Sequence, residues 1–254
     1  MPCLSILQRS LVSNKSDMNI TRHIPNSITS MNLLCGALGV IAAFKGSLDT
    51  AFYLMIAGAV CDFCDGFAAR LLKAYSPMGK ELDSLADLIT FGFLPSIMLY
   101  KCMDIYHPGE WYCYLPLIIV VFSALRLAKF NIDERQSENF IGLATPACAM
   151  ICGSFSVIAH LDINNIVGAF TESTWMIPAG AAVLSLLLVS EIPMFSMKFK
   201  KGTASDLKWI RIAFIALAVI ALAATFILGQ HFSHAVLFIF LAYILINIVS
   251  AIIR

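Results

Sequence analysis

Four aspartates, Asp62, Asp65, Asp83 and Asp87, stand inside apolar stretches of this sequence. An ionisable group in such a stretch is costly, so each reads first as functional. Asp62, Asp65 and Ala69 are three and four residues apart and share one face of a helix. Gly79, Asp83 and Asp87 are four apart and share a face of the next helix, and the short turn at Ser76-Pro77 makes the two helices antiparallel neighbours. At about 1.5 Å rise per residue, the carboxylates lie at overlapping depths, roughly 5 to 16 Å from the helix ends. They are therefore expected to converge in one pocket. Four carboxylates in an apolar pocket cannot all be ionised without counter-charge. Divalent metal supplies it, and all-oxygen ligands favour Mg²⁺, Mn²⁺ or Ca²⁺. Four ligands suffice for two ions, and paired metals suit displacement at phosphorus by holding the attacking and leaving oxygens. Gly66 and Ala69 leave room for a bulky phosphate-bearing ligand, and Arg70 offers it a bidentate contact. The competing reading, an ion network that only fixes helix packing, is weakened by four Asp and two Gly in register on neighbouring helices.

The remaining composition says what kind of scaffold holds these groups. The chain has 254 residues, 59% hydrophobic and 13% charged, with net charge +1, and a mean hydropathy of +0.84. Soluble domains carry roughly 25% charge, so a water-facing globule is excluded. Disorder is excluded by the apolar and aromatic content, and nucleic-acid binding by the near-neutral charge. The apolar runs are continuous rather than alternating, which points to helices and not to a membrane β-barrel.

An all-α integral membrane protein is expected, with about eight transmembrane helices: Ile28–Phe44, Thr50–Lys73, Lys80–Lys101, Trp111–Phe130, Phe140–Leu161, Thr174–Lys198, Trp209–Leu228 and Ala235–Ile253. Residues 1–24 form a cytoplasmic segment with a juxtamembrane amphipathic helix, Leu4, Leu7, Leu11 and Val12 toward lipid and Arg9 and Lys15 toward water. Residues 25–198 form a catalytic bundle of six helices, and 199–254 supply two further spans. With the N-terminus in the cytoplasm, all but Lys45 and Lys101 of the 17 Lys and Arg fall on the inner side. The positive-inside rule then puts both termini and the carboxylate pocket on the cytoplasmic side of the cell membrane.

The run Asp62-x-x-Asp65-Gly66-x-x-Ala69-Arg70, eight further residues, then Gly79-x-x-x-Asp83-x-x-x-Asp87 resembles the signature of the CDP-alcohol phosphotransferases at every fixed position. The resemblance implies a CDP-lipid donor, two divalent cations (Mg²⁺ or Mn²⁺) and release of CMP. It implies that Asp62, Asp65 and Asp83 are metal ligands, that Asp87 is both ligand and catalytic base, and that Gly66, Ala69, Arg70 and Gly79 line the nucleotide site. Pro25-Asn26-x-x-Thr29-x-x-Asn32 resembles the family's first-helix pattern, so Asn26, Thr29 and Asn32 are expected to contact the CDP-lipid. For Asn26, simple helix capping is an equal alternative.

Arg126-Leu127-Ala128-Lys129-Phe130-Asn131 and Phe140-x-Gly142-Leu143-x-x-Pro146 resemble the phosphatidylserine synthase branch of that family. This chain departs from the branch with Lys129 for Arg and Ala144 for Pro. Leu188-Val189-Ser190 with Phe195-Ser196-x-Lys198 is a weaker echo. The branch implies CDP-diacylglycerol as donor and L-serine as acceptor, with Arg126 and Lys129 as acceptor-binding residues, or else as ordinary positive-inside anchors. The alternatives are a sibling enzyme using glycerol phosphate or inositol phosphate, and a cation transporter, which the lack of a second Asp-Gly motif weakens. Membrane lipids and a second copy of the chain, as a homodimer, are the expected partners, and nucleic acid is not. Lys198, Lys200 and Lys201 are expected to attract anionic headgroups. Of the eight cysteines, only Cys102 and Cys113 flank one outer loop and make a pair to test for a bridge. Cys35, Cys148 and Cys152 read as small apolar thiols, Cys61 and Cys64 as lying on a buried helix without the second Cys pair that zinc would need, His231 and His234 as solvated loop residues, and Glu191 as snorkelling or paired with Lys198.

Overall fold

The computed structural model describes residues 3–133, 140–161, 166–194 and 205–253. Helix α1 runs Cys3–Phe44 and α2 Leu48–Leu71. Helix α3, Pro77–Asp87, continues through a π-helical turn, Leu88–Phe93, into α4, Leu94–Tyr106. A 3₁₀ stretch, Trp111–Leu117, leads into α5, Ile118–Ile132. Then follow β1 (Phe140–Ile141), α6 (Thr145–Leu161), α7 (Ile166–Glu172), α8 (Met176–Val189), β2 (Pro193–Met194), α9 (Ser205–Ile227) and α10 (Ser233–Ile253).

Among the described residues the fold is all-helical apart from one two-residue strand pair. Five helical stretches among the described residues are long and apolar enough to cross a membrane: His23–Phe44, Leu48–Leu71, Pro77–Tyr106, Trp111–Ile132 and Ser233–Ala251. Three further apolar helices among the described residues are shorter, Thr145–Leu161, Met176–Val189 and Ile212–Ile227, the last of them within the 23-residue α9, so length and composition mark five spans. The reason is clearest for α6, whose side chains from Thr145 to Ala159 are almost all buried. A helix walled in by protein on every side has no full-length lipid-facing stripe to satisfy.

Other expectations are corrected at the helix ends. Phe140 does not open a helix. It pairs with Met194, and Ile141 with Pro193, in an antiparallel ladder. Gly142 then takes φ +76°, and α6 starts only at Thr145. A Cβ on Gly142 would lie 2.7, 2.8 and 3.2 Å from the carbonyl oxygens of Leu188, Ser190 and Leu187. Both the left-handed backbone and the close approach therefore require glycine here. The sixth expected helix stops at Val189 because Ser190 is extended at ψ 157°. At the N-terminus, α1 is continuous through Pro25, with no break between the surface helix and the first span. The facing of Leu4, Leu7, Leu11, Val12, Arg9 and Lys15, and the cluster at Lys198, Lys200 and Lys201 with Phe195-Ser196, lie outside the described side chains.

Small residues let the helices that carry the acids close on each other. Gly36 on α1 and Gly58 on α2 both face Thr90, and a Cβ on either would meet it at 2.4 and 2.6 Å. Thr90 in turn donates to the Asn32 carbonyl at 3.0 Å. Below this contact Phe52, Met55, Phe91, Leu94 and Met98 form a fully buried core. At the end of the bundle away from the aspartates, Trp111, Tyr114 and Trp175 are exposed, as expected of an aromatic belt at a membrane interface. Cys102 and Cys113 are free thiols: one donates to the Ser156 carbonyl and the other to His107. His231 is not simply solvated, since its ring bonds Tyr53 and Ser233.

Candidate active site

Asp62, Asp83 and Asp87 each present a carboxylate oxygen within 4.8 Å of the other two. Helix α2 delivers the first and α3 the other two. Ser76, at the start of α3, accepts from Gly79 N–H at 3.0 Å and so caps the helix whose first turn faces the acids. Directly after Asp87 the chain makes its π turn, and Pro95, which has no N–H for an ordinary helical bond, lies just beyond it. Such turns often mark functional positions. Asn32 Nδ2 donates to Asp87 at 3.3 Å. Asp65 is turned aside from the trio: it is buried, and Thr29 Oγ1 donates to it at 2.5 Å.

These carboxylates fit a hard divalent ion. Among the described residues no Lys or Arg forms an ion pair with any of the four; the ion pairs described are Lys101–Asp104 and Lys129–Glu191. One oxygen of Asp83 and the amide oxygen of Asn32 are buried without a partner. Clustered acids with an orphaned oxygen and no ion pair to a Lys or Arg among the described residues are what an ion would complete.

A cavity of about 520 Å³ opens beside the acids. Asp65 and Asp83 lie on its wall with Asn26, Thr29, Gly66, Ala69 and Gly79. Nothing lies within 4 Å of where a Gly66 Cβ would stand, so the missing side chain leaves open space for a ligand. A Gly79 Cβ would come 2.9 Å from Asn26 Oδ1, so this glycine lets α1 and α3 meet at the cavity wall. Arg70 is exposed, does not line the cavity, and donates from Nε to the Gly66 carbonyl at 2.9 Å.

The other two expected site residues separate. Arg126 is 8% exposed, donates from Nη1 to Thr145 Oγ1 at 2.8 Å, and lies within electrostatic reach of Asp87. Lys129 is partly exposed and sits 3.6 Å from Glu191. Glu191 therefore pairs with Lys129, and the expected partner Lys198 lies outside the described residues.

The sequence profile of the CDP-alcohol phosphatidyltransferases matches residues 22–245. The chain belongs to the CDP-alcohol phosphatidyltransferase family. It is 34% identical over 186 residues to the CDP-diacylglycerol–serine O-phosphatidyltransferase of Bacillus subtilis (strain 168), covering 73% of this chain and 96% of that one. The protein of the same name from Mycobacterium leprae (strain TN) is 36% identical over 182 residues, covering 68% of this chain and 58% of its own length. The archaetidylserine synthase of Methanothermobacter thermautotrophicus is 32% identical over 148 residues, covering 55% and 61%. For this family member, the cation-transport alternative is left without a supporting feature.

Several positioning groups escaped the reading of the sequence. Asn131 donates to Ser84 at 2.9 Å, and Lys80 Nζ donates to the Asn131 carbonyl at 2.8 Å. The end of α5 is thus tied to α3 on either side of Asp83. Asn131 is the last residue of the Arg126 motif, so its place in that motif was the available signal. Thr90 and Thr145 had no such signal, because their partners are distant in sequence.

Proposed function

We propose that this chain is a membrane enzyme that transfers the phosphatidyl group of CDP-diacylglycerol to L-serine, giving phosphatidylserine and CMP. The observation that carries this reading is the convergence of Asp62, Asp83 and Asp87 on one another beside an open cavity, on whose wall Asp83 and Asp65 lie. Serine is supported by the names of the bacterial relatives and by the archaeal one, which shares it. It is also supported by a buried guanidinium near Asp87, a fit for the carboxylate that distinguishes serine from simple alcohols.

In this reading Asn26, Thr29, Gly66, Ala69 and Gly79 receive the CDP-lipid on the cavity wall, Asn32 acts from behind it through Asp87, and Arg70 meets the lipid from outside that wall. Asp62, Asp65, Asp83 and Asp87 would hold two divalent cations, Mg²⁺ or Mn²⁺, which when bound neutralise the pyrophosphate and polarise its phosphorus. Asp87, oriented by Asn32, takes the proton of the serine hydroxyl. The serine oxygen bonds to the β-phosphorus as the bond from that phosphorus to the bridging oxygen breaks, and CMP leaves with the electron pair. Arg126, and Lys129 from the rim, hold the acceptor carboxylate.

The three shorter apolar helices complete a bundle of about eight spans in the cell membrane. Both termini and the cavity face the cytoplasm, residues 25–198 form the catalytic bundle between the 1–24 segment and the 199–254 pair, and the enzyme is a homodimer. The test is CMP release from CDP-diacylglycerol by purified protein with serine, glycerol 3-phosphate or inositol phosphate added singly. Release with serine alone is expected. Release only with a phospho-acceptor would reassign the acceptor, and no release with any alcohol would overturn group transfer.

A further inference from the structure

Lys80 stands in the first turn of α3 and is exposed. An exposed lysine ordinarily keeps its rotamer freedom. Lys80 does not: its Nζ donates at 2.8 Å to the backbone carbonyl of Asn131, 51 residues away at the end of α5. The Asn131 amide donates to Ser84 Oγ at 2.9 Å, and Ser84 Oγ donates to the Lys80 carbonyl at 3.2 Å. These hydrogen bonds close a ring that holds the lysine at both its backbone and its ammonium.

The ring leaves the charge available. A carbonyl is a neutral partner and takes one of the three donors of the ammonium. Among the described residues no carboxylate forms an ion pair with Lys80; the ion pairs described lie elsewhere. Lys80 also lines the cavity of about 520 Å³, and among the described residues it is the one Lys or Arg on that wall. Arg70, the cation that the motif offers, lies off the wall. The charged neighbours on the wall, Asp65 and Asp83, on their own repel a phosphate, and the Gly79 N–H is already given to Ser76. Lys80 is therefore the group on this wall with both the charge and the unused donors that a phosphate calls for.

We infer that Lys80 is the phosphate anchor of the donor cavity: tethered to Asn131, it presents its ammonium to an oxygen of the diphosphate of the CDP-lipid and holds it beside the aspartates. The inference rests on the reading of the cavity as the donor site and is independent of which acceptor is used. It gives the tie to Asn131 a purpose beyond packing, because a lysine already oriented loses less freedom when phosphate binds than a free one does.

Steady-state kinetics on the full-length protein in micelles of a neutral detergent, with CDP-diacylglycerol and the acceptor each varied, tests this. Lys80→Gln keeps an N–H donor for the Asn131 carbonyl and removes the charge. It should raise the CDP-diacylglycerol KM roughly ten-fold, the size of one lost bond between charged groups, and leave the acceptor KM near wild type. Lys80→Met, neutral and of similar length, should shift the same KM and serves if Lys80→Gln fails to fold. Lys80→Arg, which keeps the charge, should lose much less. Added salt should raise the donor KM of the wild type and of Lys80→Arg more steeply than that of Lys80→Gln, because the charged pair is screened. A donor KM near wild type in the neutral variants would overturn the proposal, as would a salt response that the variants share with the wild type. An equal rise in both KM values with a lower melting temperature would also overturn it, as the mark of a lysine that only ties α5 to α3. A wild-type protein that releases no CMP with any alcohol would remove the functional reading and this one with it.

Discussion

On the α1–α3 side of the site, the polar groups come from consecutive helices and sit three or four residues apart, around a cavity of about 520 Å³. On the α5–α6 side they are Arg126 and Thr145, brought together from separate helices and closed off to 8% and 0% exposure. The two sides suit two kinds of ligand. A nucleotide with two acyl chains needs an open wall of small residues and a dense charge to meet its pyrophosphate. A small amino acid offers little surface, so discrimination must come from a few fully desolvated contacts, where an unmatched charge is most costly.

The largest effect should come from the open side. Asp83→Asn removes a carboxylate whose second oxygen is unpartnered, and turnover should fall by about a thousandfold or more. Mn²⁺ binding, followed by electron paramagnetic resonance, should weaken in parallel while the melting temperature in detergent holds. Full activity in this variant would remove Asp83 from the site.

Next come two glycines, one from each side. Gly142→Ala drives a methyl group into three carbonyls at a left-handed backbone position, and should cost about 2 kcal/mol or more of stability, read as a lower melting temperature. Gly66→Ala meets nothing within 4 Å, so its melting temperature should stay put while the CDP-diacylglycerol KM rises. Equal thermal shifts in the two would erase the contrast between a packed and an open glycine.

The smallest and most diagnostic pair is two hydroxyls. Thr29 donates to Asp65 and Thr145 accepts from Arg126. Each bond involves a charged group, so Thr29→Val and Thr145→Val should each cost a factor of roughly ten. The first should act on the CDP-diacylglycerol KM and the second on the serine KM. Swapped or shared effects would show that the two sides are not separate.

The same contrast governs what could be read before the structure. Asp62, Asp65, Asp83 and Asp87 were legible because helical periodicity fixes facing from spacing alone, and a single turn joins the two helices. Arg126 was legible only as a resemblance, since nothing local says that it is buried or that Thr145 receives it. The start of α6 was misread because the apolar run from Phe140 hides a strand pair and a positive φ, both set by α8 and β2. The span count was less legible for a related reason: apolar length marks a helix, but not whether lipid or protein surrounds it.

The most direct test of the division between the two sides is two-substrate kinetics on Arg126→Ala. Loss of a buried charge-assisted pair costs about 2–5 kcal/mol, a factor of tens to thousands. That loss should fall on the serine KM, with the CDP-diacylglycerol KM near wild type, and Arg126→Lys should recover only part, because an ammonium lacks the bidentate fork. A donor KM that rises while the serine KM holds would put Arg126 on the lipid phosphate and contradict the division.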